Sequence, residues 1–396
     1  MQTEPTTTEP WPIALGGLIA LATALGIGRF VYTPILPAMI AALSLGRSSA
    51  GLIASANFLG YLFGALLAAL PDLPGSRHRW LIGCLAVSAV TTGGMGLAQS
   101  LLPFLVLRFL GGAASAVVLV FATAAVLEHL TEARRPELSA LHFAGVGVGI
   151  AASAILVAAL ISAGCSWRSL WLSSGLLSLA GMLAAALLIR PGAAHAAPAA
   201  PPHARPAADP RLRRFITAYG LFGFGYVITA TFIVIIVRGT PATHALEPEI
   251  WVAFGLAAAP SVVLWTSIST RLGIPMTFAL ACVVEAGGVL ASVAWPTVTG
   301  VFIAAVLVGG TFMGLTALGL VQARTLATGN PHRALALMTT AFGLGQIVGP
   351  TFAGVVSDAL GSFTVPSIAA AAALLIAGGL TLLHGRRRIL IQRAAE

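Results

Sequence analysis

Two arginines, one glutamate and one histidine stand in apolar stretches otherwise free of charged residues, and these four carry most of the available chemistry. Arg29 lies in GIGRFVYTPILP (26–37) and Arg108 in VLRFLGG (106–112). A charge at mid-bilayer costs at least ~2.5 kcal/mol on insertion scales, so such a residue faces a protein interior or a watery cavity. A guanidinium offers a two-pronged donor that matches a carboxylate or phosphate, which points to an anionic solute or to charge coupling. Gly26 and Gly28 before Arg29, and Pro34 and Pro37 after it, let a membrane helix bend and leave backbone carbonyls free. A second role is therefore open to Arg108: bonding the carbonyls of that bent helix. Between Glu9 and Glu128 the only acidic residue is Asp72, so neither arginine has an acidic neighbour in its own apolar surroundings.

Glu285 lies about ten residues into its apolar stretch, near mid-bilayer at 1.5 Å per residue. A carboxyl at that depth could cycle protons, or serve as a neutral hydrogen-bonding group between helices. His142 has the side chain suited to proton exchange near neutrality, although it sits close to the end of its stretch. Asn57 and Tyr61, spaced i and i+4, share one helix face. Together with Tyr32, Tyr226, Thr229 and Gln346 they could line a central cavity; helix-to-helix hydrogen bonding is the other role open to each.

The elements that must position these residues follow from composition. The chain has 396 residues, 58% hydrophobic and 8% charged, with a mean hydropathy of +0.96. A soluble domain carries roughly 25% charged residues, so this one would lack a polar coat and is expected in a membrane. Apolar stretches fall at 13–43, 50–70, 80–98, 102–127, 138–163, 167–189, 215–237, 250–268, 275–294, 298–321, 334–359 and 366–383. About 20 residues of helix cross ~30 Å of hydrocarbon, so twelve transmembrane helices are expected in an all-α membrane protein. Residues 1–10 read as a disordered tail without the basic start of a cleavable signal peptide. Residues 191–210, rich in Ala and Pro, read as a linker between two six-helix bundles, 11–190 and 211–385, and 386–396 as a basic tail.

The net charge of +9 comes from 21 arginines without a single lysine. Arg47, Arg168 and Arg238 fall on one side of the expected membrane, Arg29 and Arg108 within it, and the remaining sixteen on the side of both termini and the linker. This asymmetry is the positive-inside pattern, which places the termini in the cytoplasm and makes nucleic-acid binding an unneeded explanation of the charge. The three cysteines form neither a disulfide framework nor a metal-ligand pattern. No GxxxxGK[ST] phosphate loop occurs, and no nucleophile–base constellation, so neither an ATP-driven machine nor an enzyme is expected, and no cofactor.

The halves repeat weakly: GIGRF at 26–30 matches GFGYV at 223–227, and Gly145 and Gly147 match Gly343 and Gly345. The equivalent of Arg29 is Tyr226 and that of Arg108 is Val306, which confines the buried positive charge to the first half.

Two repeated sixes joined by a linker, with LRFLGG at 107–112 and a degenerate DLPGSRHR loop at 72–79, resemble the major facilitator superfamily. GIGRFVYTPILP (26–37), SANFLGYLFGALLA (55–68) and FGFGYVITATF (222–232) resemble its bacterial YbfB/YjiJ-type branch. The resemblance implies a secondary transporter of a bacterial inner membrane, working by alternating access as a proton-coupled symporter or antiporter of an organic solute, and the two arginines favour an anion. It further implies that Asp72, Arg77 and Arg79 latch a cytoplasmic gate, with Glu128 or a helix terminus as partner. The expected partners are a small organic anion, protons and the lipid bilayer, and the chain is expected to act as a monomer. The rival functions are a proton-driven exporter of drugs or metabolites and a membrane sensor that binds without transporting.

Overall fold

The first apolar stretch is one membrane span broken into three pieces. Helix α1 (Pro10–Leu21) runs into a π-helical turn (Ala22–Ile27), and after an irregular stretch at 28–31 the span resumes as α2 (Tyr32–Leu43). The break has local causes. Gly28 N–H and Phe30 N–H reach back five residues, to the carbonyls of Thr23 and Leu25. Pro34 has no N–H to offer, and Thr33 N–H turns to the Phe30 carbonyl instead of continuing the helical ladder.

The computed structural model describes residues 10–70, 73–189, 210–239, 242–243, 246–327 and 331–383. Apart from Pro10 and Pro210, the expected tails and linker lie outside them, as does Asp72. Twelve more helices follow: α3 (Arg47–Ala68), α4 (Arg77–Gly94), α5 (Leu101–Glu132), α6 (Ser139–Ser162), α7 (Trp167–Leu188), α8 (Pro210–Arg238), α9 (Glu247–Ala258), α10 (Ser261–Leu272), α11 (Ile274–Ala294), α12 (Val298–Leu326), α13 (Pro331–Leu360) and α14 (Thr364–Leu382). Among the described residues ten helical stretches are long and apolar enough to cross a membrane, and α9 with α10, bent by 43° at Pro260, makes an eleventh. The remaining expected span, 80–98, falls largely on α4, which is not among these eleven. The helix starts with Arg77-His78-Arg79, and these basic residues take up its first turn and shorten its apolar part.

The outward faces are apolar, as lipid requires: Val90, Leu97 and Leu187 are 70% or more exposed. Helix axes approach closely through glycine. Gly60 and Gly64 of α3 lie against the backbone of Phe109 and Ala113 of α5, and Gly112 lies against Asn57. In the second half Gly309 of α12 lies against the backbone of Phe254, and Gly314 against the side chain of Trp265. The span formed by α1 and α2 packs on α6 through Gly26, Gly145 and Gly149, and α8 packs on α13 through Gly345 and Gly349. Each half thus repeats one packing scheme.

Successive spans alternate in direction, which gives the bundle a near end, where α1 begins, and a far end, where α2 stops and α3 starts. The halves meet along α3 with α13, α6 with α9, and α2 with α8. Thr33 Oγ1 donates to the Ala230 carbonyl at 2.9 Å, a separation of 197 residues. That is also the repeat offset between Gly26 and Gly223, so Thr33 and Ala230 are equivalent positions meeting where the halves cross.

Candidate functional site

The broken first span presents Arg29 at the seam between the halves. Its guanidinium carbon is 4.5 Å from the ring centroids of both Phe58 and Tyr61 on α3, and 5.4 Å from that of Phe30. The side chain is 5% exposed, and neither Nε nor one terminal nitrogen has a hydrogen-bond partner. The aromatic faces hold the cation, and the Tyr61 hydroxyl takes up only part of its donor set. Two donors of a permanently charged group therefore remain open in a buried position.

Arg108 is held in a different way. Its two terminal nitrogens donate to the carbonyls of Gly28 at 3.0 Å and Arg29 at 2.9 Å, the very groups that the break leaves free. The guanidinium lies 5.0 Å from the Tyr32 ring, and Asn57 Nδ2 donates to the Arg108 carbonyl at 2.9 Å. Of the two roles open to Arg108 in the sequence, this geometry matches the architectural one: it clamps the bend that aims Arg29. Tyr32 in turn donates through its hydroxyl to the Ala50 carbonyl at 2.8 Å, so Tyr32 and Asn57 tie the first span to its neighbours.

Across the seam, Tyr226 of α8 lies nearly parallel to Phe312 (5.6 Å, 9°) and Phe342 (5.8 Å, 6°). Phe30 meets Phe312 edge-on at 5.8 Å, so the aromatic wall of the second half reaches the span that carries Arg29. Gln346 Nε2 donates to the Tyr226 hydroxyl, while its Oε1 and the hydroxyl of Thr229 have no partner among the described residues. The Tyr226 hydroxyl is close enough to interact electrostatically with both Arg29 and Glu285. The structure therefore brings together Arg29, Tyr61, Tyr226 and Gln346, with Thr229 one turn further along α8.

Glu285 on α11 is fully buried, and both carboxyl oxygens lack a hydrogen-bond donor. Thr311 lies beside it, but that hydroxyl donates to the carbonyls of Leu307 and Val308. His142 lies apart from the seam, between α1, α5 and α6. Its Nε2 is 3.0 Å from Thr123 Oγ1, its ring packs on Phe143 at 4.9 Å, and only the absence of a side chain at Gly17 leaves room for it. Arg77, Arg79 and Glu128 are exposed at the near end.

Sequence reasoning missed Phe58, whose signal was its i, i+3 spacing from Tyr61, and the stack of Phe312 and Phe342 on Tyr226, which draws on three separate helices and left no local signal. It also missed a contact at the far end. Asp358 at the end of α13 accepts from the backbone N–H groups of Arg47 (3.0 Å) and Ser48 (2.8 Å) and from the Ser48 hydroxyl (2.5 Å).

The family described as "uncharacterised MFS-type transporter YbfB" matches this chain over residues 21–382. Among solved structures, the nucleoside transporter NupG superposes with a TM-score of 0.70 at 15% identity, over 95% of this chain and 99% of that one. A bacterial homologue of the human lysosomal transporter Spinster, in an inward-facing and unoccupied conformation, superposes with a TM-score of 0.72 at 16% identity, over 95% and 97%. At these identities the likeness shows the fold. No curated protein sequence matches the chain. A match across nearly the whole length, on a fold shared with solved transporters, shows that this multi-pass membrane protein is no enzyme and belongs to the YbfB family of MFS-type transporters.

Proposed function

We propose that the protein is a secondary transporter that carries a small organic anion across a bacterial inner membrane by alternating access, coupled to protons. The observation that carries this reading is Arg29: a buried guanidinium at the seam, held by aromatic faces, with two donors unused. In this reading the substrate carboxylate or phosphate takes those donors, and Tyr61, Tyr226, Thr229 and Gln346 recognise its remainder. Arg108, Tyr32 and Asn57 hold the bend in place. The charged wall belongs to the first half and the aromatic wall to the second, so a solute bearing both characters links the two and senses their relative motion.

Glu285 is the proton carrier of this proposal. It is fully buried and shares the electrostatic neighbourhood of Tyr226 with Arg29, so an anion entering beside Arg29 changes the field that the carboxyl feels. The packing of His142 between three helices of one half supports a structural role for it instead. Twelve spans with α4 as the third, cytoplasmic termini, a linker at 191–210 between two six-helix bundles and a monomeric state complete the reading. The arginine asymmetry supports this orientation. Contacts between the halves at Arg47, Gly51 and Thr33 support a state closed at the far, non-cytoplasmic end.

The test is reconstitution into liposomes, with uptake measured for a panel of organic anions, cations and neutral solutes under an imposed pH gradient. Accumulation confined to anions, and abolished by dissipating the gradient, is the expected result. Accumulation of cations and neutral solutes with equal efficiency would favour the drug-exporter alternative, and binding without accumulation would favour a sensor.

A further inference from the structure

Helix α3 begins without a cap of its own. Its N-cap residue is Gly46, in extended conformation and with no side chain to accept from the first backbone N–H groups. A helix start normally satisfies those groups with a nearby Ser, Thr, Asp or Asn. Here the acceptor comes from the other half of the protein, 310 residues away: Asp358 takes the N–H groups of Arg47 and Ser48 and the Ser48 hydroxyl. The exchange is reciprocal. Arg47 sends a guanidinium nitrogen to the Ser357 carbonyl at 2.8 Å, near the end of α13, and lies 5.4 Å from the Phe363 ring. A carboxylate thus sits at the positive end of one helix and a guanidinium at the negative end of the other, each supplied by the opposite half.

We infer that Asp358, with Arg47 and Ser48, is the far-end latch of the transport cycle: a borrowed helix cap that favours the closed far end and is surrendered when the halves part there. Three features suit it to that task. The groups lie at the exposed rim, so the freed N–H donors pass to water when the latch opens and the contact biases the equilibrium without locking it. The bonds are charge-assisted and several, so they act together. Directly below them α3 and α13 touch through Gly354 against Arg47, Gly51 against Pro350, and Ser55 Oγ donating to the Ile347 carbonyl at 2.6 Å. These contacts add to the latch only while the far end is shut.

This inference rests on the alternating-access part of the proposed function and is independent of the solute. Its test uses the full chain in lipid nanodiscs, where reagent reaches both faces, with Cys84 and Cys165 replaced by serine and Ser55→Cys as reporter. Ser55 is sealed by α13 when the far end is shut. Asp358→Asn is expected to raise the rate of maleimide labelling about tenfold, the equivalent of about 1.4 kcal/mol. Ser48→Ala, which deletes one of the three donors, is expected to raise it by a smaller factor of about three, or roughly 0.65 kcal/mol on the same scale.

A plain stabilising cap and a latch are separated by adding Gly46→Asp to the Asp358→Asn variant. The new carboxylate caps α3 from within α3 and bridges nothing, so labelling is expected to stay high. A return to the parental rate overturns the inference, because it would show that only the cap mattered. Unchanged labelling in both Asp358→Asn and Ser48→Ala also overturns it, provided thermal unfolding shows both to be folded. In that case solute exchange across liposomes separates the causes: a chain that still exchanges solute loses only the latch, and one that does not loses alternating access as well.

Discussion

Replacing Arg29 by alanine separates a binding arginine from a structural one, because the two predict different responses with and without solute. Without solute, the change removes two close aromatic contacts, each worth about 1–2 kcal/mol when desolvated. It also relieves the cost of a membrane-buried charge, about 2.5 kcal/mol on insertion scales. These terms oppose each other, and stability should change by no more than about 1.5 kcal/mol. Arg108→Ala relieves the same burial cost but deletes two charge-assisted hydrogen bonds, worth about 1.5–3 kcal/mol each, and strands two carbonyls at about 1–3 kcal/mol each. It should destabilise clearly. With solute the order reverses. Two guanidinium bonds to an anion, at the lower figure, sum to about 3 kcal/mol, so Arg29→Ala should weaken binding at least about 100-fold. A ligand at 100 times its dissociation constant stabilises by about 2.7 kcal/mol, and after a 100-fold weakening by only about 0.4 kcal/mol. Thermal unfolding of purified protein over an organic-anion series reads both effects. Equal anion-induced shifts in parent and Arg29→Ala, or a loss of unliganded stability as large as that of Arg108→Ala, would refute the reasoning.

The other predictions concern coupling and packing. Glu285→Gln keeps the size of the side chain and removes its titration, so it should abolish solute-driven proton flux in liposomes while leaving solute-for-solute exchange; intact proton flux would remove Glu285 from the mechanism. His142→Ala should lower stability by about 1–3 kcal/mol through the lost Thr123 bond and the cavity left behind, with no change in the pH profile of transport. Gly112→Ala should cost about 1–3 kcal/mol, seen as a lower melting temperature, because a Cβ there overlaps the Asn57 carbonyl inside one half. Gly51→Ala makes the same kind of overlap with the Pro350 carbonyl of the opposite half, and parting the far end relieves it. That variant should therefore keep its melting temperature and expose the Ser55→Cys reporter.

Much of this architecture is legible in the chain because membrane burial leaves strong local marks. The apolar stretches, the repeat of GIGRF in GFGYV, and the isolation of Arg29 and Arg108 among uncharged residues are all properties of neighbouring positions. The glycine match between the halves, Gly145 with Gly343 and Gly147 with Gly345, is equally local, and the structure uses it for close packing of Gly145 on Leu18 and Gly345 on Gly220. Span counting reached its limit at α4, where Arg77-His78-Arg79 enters the helix and shortens its apolar part.

By itself, then, the sequence determined a membrane-embedded helical repeat protein with positive charge buried in its first half, since hydropathy, repeat and charge are each read from residues close in the chain. Only the tertiary structure decided which arginine keeps a terminal nitrogen open and which commits both, since Nε is unpaired in each. Both have the same side chain and similar apolar flanks, and the difference lies in carbonyls 79 and 80 residues away that Arg108 reaches and Arg29 does not. The far-end contact between Arg47 and Asp358, 311 residues apart, is likewise invisible before folding, because an exposed charge at a helix end reads as ordinary until the opposite half supplies its partner.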